Sequence, residues 1–270
     1  MRYYSRGVKC VPKGTNRMRT EFAPIAPLSV YRKLKRKPEV MGKYHLLLAH
    51  EVLKDPNGFA DIFAREDMFV IMDNSVIELG YALEPQQLID ACEAVDADVL
   101  ILPDVLHNKV ATMSRSLEGF DTIHAKMGTA LEYMIVPQGT TFHEIISCTY
   151  ELHREIKPEW IGIPRWIANT LGSRTTLVHE LTPLGTQIHL LGFSDNWVDD
   201  IVSARLPSVK GIDSSVPVLL GAYAMPFVLT ADVRKRPDRE PMWSSEPELS
   251  YGMEHNIRKV QAWLNRTTTP

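Results

Sequence analysis

The sequence has few cysteines and no long apolar run. Its 270 residues contain three cysteines, at positions 10, 92 and 148, and no two of them form a Cys-x-x-Cys pair. This spacing argues against a zinc ribbon or a disulfide framework, and a reducing cytoplasm is the expected compartment. No apolar run approaches the roughly 20 residues that span a bilayer, and the N-terminus lacks the apolar core of a signal peptide. We therefore expect a soluble protein with no membrane partner.

Two common functional motifs are also missing. There is no Gly-rich phosphate loop and no His-x-His pair. Four histidines, His45, His50, His107 and His189, lie near expected strands, and we assign them core or rim positions rather than metal ligation. A metal-dependent barrel hydrolase or aldolase, which needs His and carboxylate ligands at several strand ends, is kept as an alternative.

Charge is distributed unevenly along the chain, although the formal net charge is only -3. Residues 1–37 hold 11 basic residues and one acid, a net charge of +10, so the remainder is acidic. A basic arm of this kind can neutralise nucleic-acid phosphates, whereas the alternative is a solvated leader that aids solubility. The candidate nucleic-acid-binding residues are Arg32, Lys33, Lys35, Arg36 and Lys37.

From residue 44 onward, apolar runs alternate with amphipathic segments, which predicts a parallel sheet flanked by helices. Strands are expected at 44–49, 68–72, 99–102, 133–136, 160–163, 188–191 and 209–212, with 216–220 as an uncertain eighth. Seven or eight such units favour an α/β fold of the closed (β/α)8 TIM type, and an open doubly wound sheet is the alternative. The expected organisation is a basic N-terminal extension, residues 1–43, and a barrel with a C-terminal helix, residues 44–270.

Three helices and one loop are expected at particular positions. Pro85 suits the first turn of one helix, and apolar residues from Val110 to Ile123 recur at helical spacing in another. A last helix is expected from about Met253 to Asn265. The charged, proline-bearing segment 232–241 predicts a surface loop before it.

Two aspartates are placed like the ends of barrel strands. Asp73 and Asp213 each follow a short apolar run and precede small polar residues. Barrel enzymes keep their chemistry at this end of the strands. Two carboxylates that converge on one pocket suit glycosidic-bond chemistry, because one can attack a sugar carbon while the other handles the proton of the leaving group. The alternative is that each aspartate caps a turn or a helix.

The sequence around these aspartates resembles the tRNA-guanine transglycosylase family. Segment 188–201, followed by Val209-Lys-Gly-Ile-Asp-Ser-Ser-Val-Pro217, resembles that family's Met-Gly-Val-Gly-like turn and its Phe-Asp-Cys-Val-x-Pro-like strand end. Asp73-Asn-Ser-Val-Ile77 resembles the family's Asp-Ser-Gly-Gly-Phe segment. The resemblance implies that Asp213 is the nucleophile and that Asp73 is the general acid and base.

Weaker similarities between the two motifs imply how the base is held. The resemblance implies that Asp104 reads guanine, that Gln138 and the Gly162 backbone meet its polar edge, and that Ile77 and Leu191 form aliphatic walls. The implied substrate-binding residues are Asp104, Gln138, Gly162, Ile77, Leu191 and Gly192.

Departures from the family pattern narrow the expected substrate. His255-Asn256 resembles the His-Asn end of the family's zinc site, but no cysteine follows Cys148, so neither zinc nor another cofactor is expected. In lacking the zinc site, this chain resembles the short 7-deazaguanine DNA transglycosylases of phages and bacterial modification systems. The resemblance thus implies replacement of guanine in DNA by a 7-deazaguanine, such as the 7-cyano form, through a covalent Asp-sugar intermediate.

The expected partners follow from that chemistry. They are DNA and the free 7-deazaguanine base, in the host cytoplasm if the protein is phage-encoded. The same exchange on tRNA and a non-catalytic DNA-binding relative are the alternatives. The family tendency to dimerise leaves a homodimer open.

Overall fold

A computed structural model describes residues 20–228 and 240–265 of the chain. Within them, eight strands form one parallel sheet. The strands are β1 (Glu21–Pro24), β2 (Tyr44–Leu48), β3 (Phe69–Asp73), β4 (Val99–Ile101), β5 (Glu132–Ile135), β6 (Trp160–Pro164), β7 (Gln187–Leu191) and β8 (Val209–Ser214).

The strand order makes the sheet a nearly closed barrel. Its order is β1-β8-β7-β6-β5-β4-β3-β2, and every neighbouring pair is parallel. The two terminal strands, β1 and β2, also contact each other. This arrangement confirms the expected (β/α)8 TIM-type barrel.

Helices follow the strands and cover the outside of the sheet. They are α1 (Leu28–Leu34), α2 (Pro38–Met41), α3 (Ala49–Lys54), α4 (Pro56–Phe63), α5 (Val76–Leu79), α6 (Pro85–Val95), α7 (Lys109–Met127), α8 (Phe142–Ile156), α9 (Trp166–Leu171), α10 (Arg174–Leu181), α11 (Trp197–Ala204), α12 (Val216–Ala222), α13 (Glu240–Ser244) and α14 (Tyr251–Leu264). The three expected helices are present as α6, α7 and α14. No helix in the described ranges is long and apolar enough to cross a membrane.

Local sequence signals explain where several helices begin. Thr141 and Glu144 form a capping box at the start of α8. The Asn108 side chain accepts a hydrogen bond from the Ala111 amide at the start of α7, at 3.0 Å. Pro85 occupies the first turn of α6, where its missing N–H costs nothing.

Two sequence expectations about the barrel ends are wrong. The first strand is Glu21–Pro24, inside the segment expected to be an extension, so the barrel begins before residue 44. The segment did not stand out as a strand because it has only four residues and lies within the basic segment 1–37. The uncertain strand 216–220 instead lies in α12, where Pro217 occupies the first turn. Residues 1–19 of the extension and most of the expected loop 232–241 lie outside the described residues.

The core has two layers, and the alternation of side chains along each strand separates them. In β3, Phe69 and Ile71 point into the barrel, whereas Val70 and Met72 pack against the helices. Because side chains alternate along a strand, the next inward position belongs to Asp73. In β8, Ile212 packs outward, and Asp213 therefore points inward.

A tyrosine fills the interior beside the last strand. A Cβ atom added to Gly211 would lie 2.3 Å from Cε1 of Tyr44, so glycine is required where the ring crosses the strand. The Tyr44 ring also stacks on Phe69, with centroids 5.3 Å apart. These contacts fix the ring in place.

We expect Gly211→Ala to lower the free energy of unfolding by about 1–3 kcal/mol, because the new methyl group overpacks against Tyr44. Chemical denaturation measures the change. In a Tyr44→Leu background the same substitution should cost clearly less, since the ring is absent. Equal costs in both backgrounds would contradict the proposed contact.

Candidate active site

A cavity of about 200 Å³ opens at the C-terminal ends of the strands. Its walls are mostly apolar, and three aspartates line it: Asp73, Asp104 and Asp213. They come from the ends of β3, β4 and β8, which meet at one edge because the strands are parallel. The structure thus brings together the three carboxylates that the sequence singled out.

Asp213 is held by two donors on one oxygen. The Gly192 amide and His189 Nε2 each lie 3.0 Å from Oδ1. The amide can only donate, so Oδ1 is an acceptor. Gly192 adopts a φ of 69°, a left-handed conformation that glycine tolerates and that points its N–H toward the carboxylate.

Asp73 has a much sparser environment. Its Oδ2 accepts one hydrogen bond from the Ser75 amide, at 2.9 Å. Burial, with the negative charge of Glu78 as the next cause, raises the pKa of Asp73 well above its ordinary value. Asp213 and Asp104 add to this increase. The environment therefore favours the protonated form of Asp73.

The turn that follows Asp73 is strained and is held by a histidine. Ser75 has a φ of 67°, which is uncommon for a residue other than glycine. Its Oγ lies 2.8 Å from Nδ1 of His50 and accepts from the His50 amide at 3.1 Å. This contact keeps the Ser75 amide aimed at Asp73.

Two amide side chains enclose Asp104. Its oxygens accept hydrogen bonds from Asn74 Nδ2 at 2.6 Å and from Gln138 Nε2 at 2.7 Å. The orientation of both amides is determined, because their oxygens accept from the backbone amides of Val76 and His107. Both ends of the Gln138 amide are thus used within the protein.

Three of the four remaining predicted substrate-binding residues reach the cavity. Ile77, Leu191 and Gly192 line it. Gly162 is absent from the cavity wall and lies in the packed interior of β6, where an added Cβ would meet Leu191 Cδ1 at 2.9 Å and Met134 Sδ at 3.0 Å.

The five predicted nucleic-acid-binding residues lie elsewhere. They follow β1 on α1 and the turn after it, and α1 leads back to the N-terminal end of β2. Lys35, Arg36 and Lys37 therefore lie toward the end of the barrel opposite the cavity.

Most of these basic side chains already have acidic partners. Among residues 20–228 and 240–265, their ion pairs are Arg32–Asp55 at 2.9 Å, Lys33–Glu248 at 3.7 Å, Lys35–Asp61 at 2.8 Å and Lys37–Glu254. A nucleic acid would have to compete with these carboxylates.

Sequence reasoning missed several residues of the site. His189 lies fully buried in the barrel, as its expected core position implies, but its hydrogen bonds to both Asp213 and Tyr44 were not predicted. The available signal was spacing, since His189 lies two residues before Leu191 and shares its face of β7. Arg165 and Trp166 at the cavity rim had no sequence signal that distinguished them.

No group of three or more His, Cys, Asp or Glu side chains that could hold a metal ion occurs within residues 20–228 and 240–265. The three cavity aspartates belong to separate hydrogen-bond networks. The described residues thus give no support to the alternative of a metal-dependent hydrolase or aldolase.

Comparison with known proteins identifies no family. No protein-family model matches the chain. No curated protein is significantly similar to it.

Similarity to solved structures is confined to the fold. 2,3-Dimethylmalate lyase, a member of the PEP mutase/isocitrate lyase superfamily, has a TM-score of 0.51 and 10% identity, over 77% of this chain and 79% of its own. A lyase/mutase from Burkholderia cenocepacia J2315 has a TM-score of 0.48 and 12% identity, over 78% and 82%.

A dipeptide epimerase from Enterococcus faecalis V583, complexed with Mg and L-Leu-L-Tyr, has a TM-score of 0.48 and 13% identity. The match covers 73% of this chain and 54% of the epimerase, so the chain spans about half of that protein's length.

These comparisons correct the expected base exchange on DNA, and with it the tRNA alternative and the glycosyltransferase class. The similar structure whose TM-score exceeds 0.5 is a lyase, not a transglycosylase. The physical reason is that the motifs were short strand ends, and barrels of unrelated chemistry share such strand ends. The family resemblance, the nucleic-acid and deazaguanine partners, the cytoplasmic location and the homodimer stay predictions.

Burial raises the pKa of Asp104 to about 6, above the ~3.9 of an unfolded aspartate. The folded state therefore holds the proton more tightly, and this stabilisation is present below about pH 4 and lost as the pH rises through about 6. We expect the stability of the native protein, relative to Asp104→Asn, to fall across that window by up to about 3 kcal/mol. Denaturation at several pH values measures it. A carboxyl NMR midpoint for Asp104 near the unfolded value would contradict the raised pKa.

Proposed function

We propose that the chain is an enzyme that moves protons on a small organic substrate bound in the barrel mouth. The observation that carries this proposal is the unequal environment of two aspartates on one cavity. Asp213 accepts two hydrogen bonds, whereas burial favours the protonated form of Asp73. Pairs of carboxyl groups with divergent environments are how enzymes separate acid from base.

Asp73 is the general acid in this proposal. Its raised pKa favours the protonated form that a general acid needs. The Ser75 amide donates to Oδ2, and within the described residues no donor bonds Oδ1. That oxygen is therefore available to a substrate.

Asp213 is the general base. Its Oδ1 is occupied by Gly192 and His189, and within the described part of the chain no donor bonds Oδ2. In one turnover Asp213 takes a proton from the substrate and Asp73 gives its proton to another substrate atom. Proton exchange with water then returns Asp213 to the carboxylate and Asp73 to the acid. Elimination and isomerisation reactions follow this scheme.

The cavity also indicates the kind of substrate. Its apolar wall includes Leu48, Ile101 and Val136, which suits a small molecule with a hydrocarbon or ring portion.

At the rim, no ion pair within the described residues occupies the Arg165 guanidinium. The Arg165 side chain lies over Gly192, with Cδ 3.2 Å from the position of a Cβ there. We therefore propose a substrate with an anionic carboxylate or phosphate group, which an arginine binds well.

Asp73→Asn and Asp213→Asn are each expected to lower kcat by about 10²–10⁴-fold while substrate binding persists, because each removes a proton-transfer group and keeps its shape. Mixtures of small carboxylates and organophosphates, followed by NMR, identify a bound compound and its turnover. Val198→Ala, at an exposed position on α11, is the control. A compound converted equally well by both aspartate variants would refute the assignment.

Arg165→Met is expected to weaken binding of the anionic compound by about 10- to 100-fold, since it removes charge-assisted hydrogen bonds and keeps the aliphatic stem. Calorimetric titration measures the affinity. Arg205→Met, at an exposed position outside the cavity, is the matched control. Equal affinity in both variants would exclude an anion contact at Arg165.

A further inference from the structure

Three buried side chains form a continuous hydrogen-bonded chain inside the barrel. Tyr44 Oη lies 2.7 Å from His189 Nδ1, and His189 Nε2 lies 3.0 Å from Asp213 Oδ1. Tyr44 is 1% exposed and His189 is 0% exposed, so no water replaces either contact. The role proposed above for Asp213 leaves Tyr44 and His189 without a function.

We propose that His189 is a positioning residue that holds Asp213 with Oδ2 toward the substrate, and that Tyr44 fixes the His189 tautomer that can do so. This inference rests on the proposed function of Asp213 as the base. It assigns neither residue a contact with the substrate.

The direction of the hydrogen bonds follows from the chemistry of each group. A carboxylate accepts, so His189 donates its Nε2 proton to Asp213. We take the His189 imidazole as neutral, with one N–H, so that Nδ1 is an acceptor that requires a donor. The Tyr44 hydroxyl supplies that donor.

Tyr44 is suited to remain the donor. Burial, followed by the negative charge of Asp213, raises the pKa of Tyr44 well above its ordinary value, so the hydroxyl keeps its proton. The ring stacks on Phe69 and, at 5.7 Å between centroids, on the His189 ring. Gly211 leaves the space that the ring occupies. The donor therefore has a fixed position.

Two donors on the same oxygen determine the orientation of Asp213. The Gly192 amide and His189 Nε2 both bond Oδ1, so rotation of the carboxylate would break both contacts. Loss of the His189 donor leaves one contact and permits other orientations. A reaction step that depends on Oδ2 is then slowed, while contacts elsewhere in the cavity persist.

The test combines nitrogen NMR of the histidine ring with kinetics. In the native protein we expect His189 to be protonated at Nε2 and to accept at Nδ1. Tyr44→Phe should shift the ring toward a mixture of tautomers and lower kcat by about 10-fold, with KM changed by less than about 3-fold. Tyr133→Phe is the matched control, since that hydroxyl bonds the Gly128 carbonyl outside the barrel.

A second pair of variants separates positioning from folding. His189→Leu removes the donor and is expected to lower kcat by about 100-fold. His189→Gln can still donate to Asp213 and should recover part of that loss. If His189→Leu fails to fold, Tyr44→Phe, which removes a single hydroxyl, still decides the question.

The possible results distinguish this inference from the proposed function. Protonation of His189 at Nδ1 in the native protein would overturn the inference whether or not the protein is an enzyme. The expected tautomer together with unchanged kinetics in Tyr44→Phe and His189→Leu would overturn the positioning role. If Asp213→Asn leaves turnover unchanged, the proposed function fails, and the positioning role fails with it even if the tautomer is as expected.

Discussion

The removal of carboxyl groups from water at an apolar barrel mouth is the constraint on which the site depends: Asp104 and Asp213 are buried, and Asp73 is partly buried. An ionised carboxylate removed from water costs several kcal/mol unless donors replace the lost hydration. Each aspartate meets this cost differently. Asp213 has a backbone amide and a histidine, Asp104 has two side-chain amides, and Asp73 has one amide and a raised pKa. One cavity therefore holds three carboxyl groups with different hydrogen-bond partners.

A buried ion pair supports the loops that carry this machinery. Arg174 and Asp200 are both fully buried and bond each other beneath the ends of β6 and β7. Arg174 Nη1 donates to the Ile163 and Leu191 carbonyl oxygens, each at 3.3 Å. These carbonyls precede Arg165 and Gly192, so the ion pair anchors both the proposed anion-binding arginine and the amide that bonds Asp213.

Strand-end motifs indicate where carboxylates lie in a barrel better than they indicate which reaction those carboxylates perform. The repeated strand–helix pattern placed Asp73 and Asp213 at one edge of a barrel, the resemblance added Asp104, and the structure brings all three to one cavity. The reaction they perform depends on donors contributed by distant segments, such as Tyr44 and His189, which no local motif joins. The resemblance between short segments therefore located residues of the cavity but did not identify the reaction.

The sequence by itself favoured the barrel and located most of its strands and two of the carboxylates at its mouth, because hydrophobic periodicity and strand-end position are local properties of the chain. It could not identify β1, since four residues beside a basic cluster carry too weak a pattern, and it could not pair Lys35 or Lys37 with their acidic partners. Tertiary structure alone decided which oxygen of Asp213 is occupied and how far burial raises the pKa of Asp104. Both depend on groups from segments separated in sequence, which become neighbours only when the chain folds.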